Sequence, residues 1–63
     1  DGTENALTGP VERNDVSTVK AHLEALRGRE REVYRLLSQQ LVTIAKEKHK
    51  DRDHTALEGL LAQ

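Results

Sequence analysis

The apolar residues of this chain recur at three- and four-residue steps, which is the spacing of one face of an α-helix. The first such stretch contains Val16, Val19, Leu23 and Leu26. The second and longer stretch has a main stripe of Val33, Leu37, Leu41 and Ile44, which Tyr34, Leu36 and Ala45 widen. No stretch shows the alternation expected of a strand. The spacing therefore predicts an all-α fold.

Local signals divide the chain into a connection and three helices. Gly28 suits the C′ position that ends the first helix. Thr55 followed by Glu58 matches a capping box that starts the last helix. We therefore predict one partial helical domain, a helical hairpin plus a short third helix. Its predicted parts are a connection with a TGP turn over 1–15, a helix over 16–27, a long helix over 30–48 and a short helix over 55–62.

The residues available for a core are few and small. The chain has 63 residues, one Tyr and no Cys, Met, Trp or Phe. A core of Leu, Val, Ile and Ala in so short a chain is marginal, and no disulfide can reinforce it. We therefore expect the chain to form a homo-oligomer or to dock against another domain.

Composition also argues against several classes of function. Ten basic residues balance eleven acidic ones, so the basic excess of a nucleic-acid module is missing. No apolar run approaches the roughly 18 residues of a membrane span, and the lack of cysteine is compatible with a cytoplasmic location. No glycine-rich phosphate loop is present, so we expect this chain to bind no cofactor by itself.

The stretch "LTGPVERND" is the candidate site. One interpretation is a connection between helices with its caps, since Asn14 and Asp15 each suit an N-cap. In the other, Gly9 allows close backbone approach and Pro10 begins a helical turn whose free N–H groups could bind an anion or a carbonyl. Thr8, Arg13 and Asn14 would then add hydrogen bonds to the ligand.

The histidines and the charged connection "HKDRDH" are further candidate sites. His22 borders an apolar face, where it either bonds a carbonyl or turns toward a cleft shared with another domain. His49 and His54 lack the i, i+4 spacing of a helical zinc pair, so we expect solvated side chains and no metal site. Asp51 and Asp53 alternate with basic residues, which favours a solvated loop over acid–base chemistry.

The same residues carry a resemblance. "NALTGPVERNDVSTVKAHLEAL" followed by "VYRLLSQQLVTIAKEK" resembles the end of a family of bacterial oxidoreductase-like proteins. That family's pattern is "ALTGP", one or two variable residues, "RGD", a helix with "HL" near its end, and a helix led by tyrosine. Asn14 stands where the family usually has glycine, and Asn tolerates the left-handed conformation better than most residues. The matching positions are Ala6, Leu7, Thr8, Gly9, Pro10, Arg13, Asp15, His22, Leu23 and Tyr34.

The resemblance implies a larger parent protein. In that family a Rossmann-like NAD(P)-binding domain precedes a helical domain similar to the C-terminal domain of 6-phosphogluconate dehydrogenase. This chain would be the C-terminal part of the helical domain, contributing to the substrate cleft and the dimer interface, and inactive alone. The implied cleft residues are Thr8, Gly9, Pro10, Arg13, Asn14 and His22. The alternative is a non-enzymatic helical module for self-association or protein interaction.

Overall fold

A computed structural model of the chain describes residues 8–62. Residues 8–12 are helical, and three helices follow: α1 (Val16–Ala25), α2 (Gly28–Lys48) and α3 (Thr55–Leu61). No strand occurs within residues 8–62. The predicted all-α fold is therefore confirmed. The predicted connection over 1–15 differs, since its residues 8–12 are helical and its residues 1–7 lie outside the described part.

One aliphatic core joins all of these elements. The two helices on either side of α2 bury the faces that their spacing predicted. Val19 and Leu23 of α1 and Leu57 and Leu61 of α3 are at most 2% exposed. Val11 of the helical residues 8–12 is fully buried in the same cluster, so this segment is part of the fold. The core cluster consists of Val11, Val19, Leu23, Tyr34, Val42, Leu57 and Leu61, with Val16, Leu26, Leu41 and Leu60 packed against it.

The face that α2 turns toward this core differs from the predicted stripe. Its buried residues are Tyr34, Ser38, Val42 and Ala45. The predicted stripe points mostly outward, and we call this exposed surface the outer face of α2. It consists of Val33, Leu36, Leu37 and Ile44, which are 46–53% exposed. The period was predicted correctly and the phase was not, because α2 carries two adjacent rows of residues that both have helical spacing.

The connection between α1 and α2 is short. Leu26 and Arg27 are extended, and α2 begins at Gly28 with a φ of 57°. The sequence predicted Gly28 as the C′ residue of α1. It is instead the first residue of α2. A left-handed φ at this point favours glycine, which has no Cβ to clash with the following carbonyl. The chain folds back here, since His22 of α1 contacts Tyr34 of α2.

Asp15 is the N-cap of α1, one of the two candidates that the sequence offered. Its Oδ1 accepts a hydrogen bond from the Thr18 backbone N–H at 3.2 Å, and its Oδ2 accepts one from the Thr18 hydroxyl at 2.8 Å. These two bonds lower the pKa of the Asp15 carboxyl. The capping bond satisfies one of the N–H groups that a helix start leaves unpaired.

The predicted capping box at α3 is wrong. Asp53 Oδ1 accepts hydrogen bonds from the Thr55 backbone N–H at 2.9 Å and from the Thr55 hydroxyl at 2.5 Å. Thr55 is already the first residue of α3, and the Glu58 carboxylate instead pairs with Lys46 Nζ at 2.6 Å. The Thr55 hydroxyl thus donates to Asp53 instead of accepting from the Glu58 backbone N–H, which donates to the His54 carbonyl at 2.9 Å. The two bonds from Thr55 lower the pKa of Asp53.

Candidate functional site: the anchored turn

The helical residues 8–12 end in a Schellman motif. The backbone N–H of Asn14 donates to the Val11 carbonyl at 3.0 Å, and that of Asp15 donates to the Pro10 carbonyl at 2.7 Å. This pair of bonds places Asn14 at C′, where the left-handed conformation is required, and its φ is 58°. The expectation that Asn14 would tolerate this conformation is confirmed. Glycine, which the resemblance implies at this position, would adopt the same conformation without strain.

Side chains from the far end of α2 hold Glu12. Its Oε2 lies 3.0 Å from Lys48 Nζ and 2.9 Å from His49 Nε2. The hydrogen bonds to His49 and Lys48 lower the pKa of Glu12 from 4.5 to about 2. Arg52 Nη1 also donates to the Glu12 backbone carbonyl at 2.6 Å. These contacts span 36 to 40 residues of sequence and tie the end of the first helical segment to the α2–α3 connection.

Asn14 adds a fourth link to the same connection. Its Nδ2 donates to the Asp53 backbone carbonyl at 3.1 Å. Its Oδ1 is buried and has no hydrogen-bond partner within the described residues. The turn is therefore fixed from both sides, through Glu12 on one side and Asn14 on the other. We call residues 12–14, held by Lys48, His49, Arg52 and Asp53, the anchored turn.

Arg13 is the member of the anchored turn that faces outward. Its side chain is 64% exposed, and its Nη2 lies 3.7 Å from Asp15 Oδ2. The guanidinium packs over Gly9, where an added Cβ would come within 3.0 Å of Arg13 Nη1. The space over Gly9 is therefore taken by the side chain of Arg13, and close approach of a ligand to the Gly9 backbone stays a prediction. A fixed backbone with an exposed guanidinium is suited to binding an anionic or carbonyl group.

Pro10 does not have its predicted role. Residues 8 and 9 are already helical, so Pro10 is not the first residue of the turn, and it is buried. Its missing N–H therefore does not mark a helix start that faces a ligand. Thr8 lies at the edge of the described residues and is half-buried. Of the two interpretations of the stretch, the capped connection describes its backbone, and Arg13 is its most exposed polar side chain.

His22 has a side-chain partner on α2. Its Nδ1 and the Tyr34 hydroxyl are hydrogen-bonded at 3.0 Å, and the two rings meet edge to face with centroids 5.6 Å apart. Burial raises the pKa of the Tyr34 phenol. This pair connects α1 to α2 in the place of the backbone carbonyl that one interpretation of His22 assigned as its partner. The structure brings Gly9, Arg13 and Asn14 together in the turn, whereas His22 belongs to this separate pair.

The other two histidines are less exposed than predicted. His49 is half-buried against Glu12. His54 is only 4% exposed, and neither of its ring nitrogens has a hydrogen-bond partner within residues 8–62. No group of three or more residues able to bind a metal ion occurs in the described part of the chain.

A shallow apolar groove lies where α1 meets the beginning of α2. It encloses about 360 Å³ and continues into the outer face of α2. We call it the α1–α2 groove. Its lining residues are Leu26, Arg29, Glu30, Val33, Tyr34 and Leu37.

Sequence reasoning missed the residues that fix the turn. Glu12 was not singled out, and the segment containing His49, Arg52 and Asp53 was interpreted as a solvated loop. The available signal was composition, because a short connection rich in basic residues and hydrogen-bond acceptors can fix a neighbouring backbone. Its partner could not be identified without knowing how α1 and α2 pack.

Fold and site together define a small all-α bundle whose first helical segment ends in a turn that is fixed by the end of α2 and the α2–α3 connection. The chain belongs to the family described as "Domain of unknown function (DUF2520)", which matches residues 1–41. The match covers the anchored turn, α1 and the first part of α2. No curated protein and no solved structure matches the chain significantly. Within residues 8–62, no helix combines the length and apolar character needed to cross a membrane.

Proposed function

We propose that this chain is the substrate-side and dimerisation segment at the C-terminal end of a larger NAD(P)-dependent oxidoreductase-like protein, and that it is inactive alone. The observation that carries the proposal is the anchored turn with its exposed Arg13. Four links from a distant part of the chain hold this turn, while the Arg13 side chain is 64% exposed. A fixed cation of this kind suits the wall of a cleft whose other side a Rossmann-like domain would supply.

The dimerisation part of the proposal is supported by the outer face of α2. Four large aliphatic side chains about half exposed on one helix form an apolar surface that a small soluble domain normally covers. The same surface supports the alternative function, a non-enzymatic helical interaction module. The two functions differ in the sequence encoded upstream of Asp1. A strand followed by a GxGxxG turn and a helix supports the oxidoreductase, and a start codon directly before Asp1 supports the interaction module.

Cofactor binding tests the division of labour between the domains. A fluorescence titration with NADPH should show no binding to the isolated chain at micromolar concentration, and binding to the parent protein. Saturable micromolar binding of NADPH or NADH to the isolated chain would overturn this part of the proposal. Arg13→Ala in the parent should leave NADPH affinity unchanged, because the proposed cleft wall faces the substrate and not the cofactor.

Sedimentation equilibrium tests self-association. The isolated chain should sediment as a dimer or larger species, and Leu37→Glu should shift it toward the monomer by placing a charge on the apolar surface. Ala21→Glu is the matched control, since Ala21 is exposed on α1 and belongs neither to the outer face of α2 nor to the residues that line the α1–α2 groove. A stable, cooperatively folded monomer of the unaltered chain at micromolar concentration would contradict the dimerisation proposal.

A further inference from the structure

We propose that two copies of this chain pair through α2 in antiparallel orientation, with a two-fold axis near positions 38 and 39 of the helix. This inference rests on the proposed self-association and specifies its partner, surface and register. In this arrangement Ile44 of each copy enters the α1–α2 groove of the other.

The shape of the surface carries the orientation. The α1–α2 groove is concave and lies at the N-terminal half of α2. Ile44 lies at the C-terminal half and is 53% exposed, more than any other large aliphatic residue of the outer face. Antiparallel pairing brings Ile44 to Val33 in the partner's groove, and the two-fold axis makes this contact twice. Parallel pairing would place groove against groove and Ile44 against Ile44, which leaves the concave surface unfilled.

The charges beside the outer face fit the same register. Arg29 and Glu47 are separated by 18 positions, about five turns of helix, so they lie on the same flank at opposite ends. Glu30 and Lys48 have the same separation and lie on the other flank, where the Lys48 side chain is 57% exposed and also pairs with Glu12 of its own copy at 3.0 Å. A two-fold axis perpendicular to an antiparallel helix pair keeps each flank on its own side. Arg29 of one copy therefore meets Glu47 of the second copy, and Glu30 meets Lys48 of the second copy.

These three pairings agree on one axis. The midpoint of Val33 and Ile44 lies between positions 38 and 39, that of Arg29 and Glu47 at 38, and that of Glu30 and Lys48 at 39. One position corresponds to about 1.5 Å along the helix, so the apolar contact and both charge pairs form in a single arrangement.

Disulfide trapping tests the register, and the absence of cysteine from the chain makes every disulfide informative. In the proposed pair, the two copies of a Val33→Cys variant hold their cysteines about 16 Å apart along the helix, too far for a disulfide. An equimolar mixture of Val33→Cys and Ile44→Cys should give a disulfide-linked heterodimer under mild oxidation. Each variant alone should run as a monomer on a denaturing gel without reductant. Labelling one variant with nitrogen-15 identifies the heterodimer by mass.

A charge exchange gives an independent readout. Arg29→Glu and Glu47→Arg should each weaken dimerisation by roughly two- to five-fold per ion pair, and the double variant should restore it.

Ser17→Cys, exposed on α1, is the control for random collision in the trapping experiment.

The outcomes separate this inference from the proposed function. Disulfide-linked dimers of the Val33→Cys variant with itself would overturn the antiparallel pairing while self-association stands. A double charge variant that dimerises more weakly than either single variant would do the same. A dimer by sedimentation that gives neither disulfide would overturn the register alone. A monomeric chain would overturn both.

Discussion

At the scale of single residues, Asn14 combines two tasks. It holds a left-handed backbone at C′ of the first helical segment, and its side chain donates to Asp53 across the molecule. Glycine performs the first task and lacks the second, whereas alanine lacks both. The residue at this position therefore sets both the end of a helix and the attachment of the turn.

Substitution of Asn14 separates these tasks. Asn14→Gly should destabilise the fold through loss of the bond to Asp53 and through the greater entropy of glycine in the unfolded chain, without backbone strain. Asn14→Ala should cost about 1 kcal/mol more, since its Cβ strains a left-handed backbone. Urea unfolding of the three proteins at one fixed concentration measures the difference. Equal stability of the alanine and glycine variants would contradict the assigned conformation.

The sequence could be interpreted at this scale only where the partner is local. Asp15 and Thr18 are three residues apart, and the cap was within reach of sequence rules. His54 shows the opposite case. Its neighbours are charged, so it was expected in solvent, yet the packing of α3 buries it to 4% exposure. Burial at this position is decided by a helix that docks from elsewhere in the chain.

At the scale of helices, the two glycines in α2 and α3 differ in backbone conformation and therefore in their effect on stability. Gly28 starts α2 with a φ of 57°, whereas Gly59 lies inside α3. An added Cβ would meet nothing within 4 Å at either position. The effect of an alanine on stability at either position therefore depends mainly on the backbone conformation there.

Alanine at these two positions should shift stability in opposite directions. Gly28→Ala should lower the free energy of unfolding by about 1–2 kcal/mol through strain in the left-handed region. Gly59→Ala should raise it by about 0.5–1 kcal/mol, because alanine restricts the unfolded chain and favours the helix. Thermal unfolding followed by circular dichroism compares the two variants. A stabilising Gly28→Ala would argue against the described start of α2.

Sequence periodicity predicted the helices and the inward faces of α1 and α3, but not that of α2. Tyr34 and Val42 belong to one row of α2, and Val33 and Ile44 belong to the neighbouring row. Both rows satisfy helical spacing, and the second is the more aliphatic. Which row faces the core depends on where α1 and α3 dock, and hydrophobicity alone favoured the row that stays exposed.

At the scale of the whole molecule, the contacts of the Glu12 carboxylate with Lys48 and His49 make stability depend on pH. Its pKa is about 2 in the folded chain against 4.5 for a free glutamate. A lowered pKa in the folded state means that the stabilisation is fully present above pH 4.5 and is lost as the pH falls toward 2. The same bonds hold the anchored turn, so acid should loosen the turn and destabilise the fold together.

Glu12→Gln tests this link. It should lower the urea midpoint at neutral pH and reduce the dependence of stability on pH between 4.5 and about 2. Other carboxyl groups with a lowered pKa, including Asp15 and Asp53, remain in the variant. The difference from the unaltered chain therefore gives the contribution of Glu12 to the pH dependence. Glu24→Gln, exposed on α1, is the matched control. Parallel stability–pH curves for the Glu12 variant and the unaltered chain would contradict the assignment.

The links between the anchored turn and the α2–α3 connection also set an order of events in time. They join residues separated by 36 to 40 positions, so forming them closes a long loop. That loop contains α1 and α2, and the entropic cost of closing it falls once these two helices have formed. The hairpin of α1 and α2 has local contacts and needs no such closure. Folding should therefore begin at the hairpin and finish when residues 8–15 and α3 come together. In the native protein, those two distant segments should open and exchange their amide hydrogens as one cooperative unit.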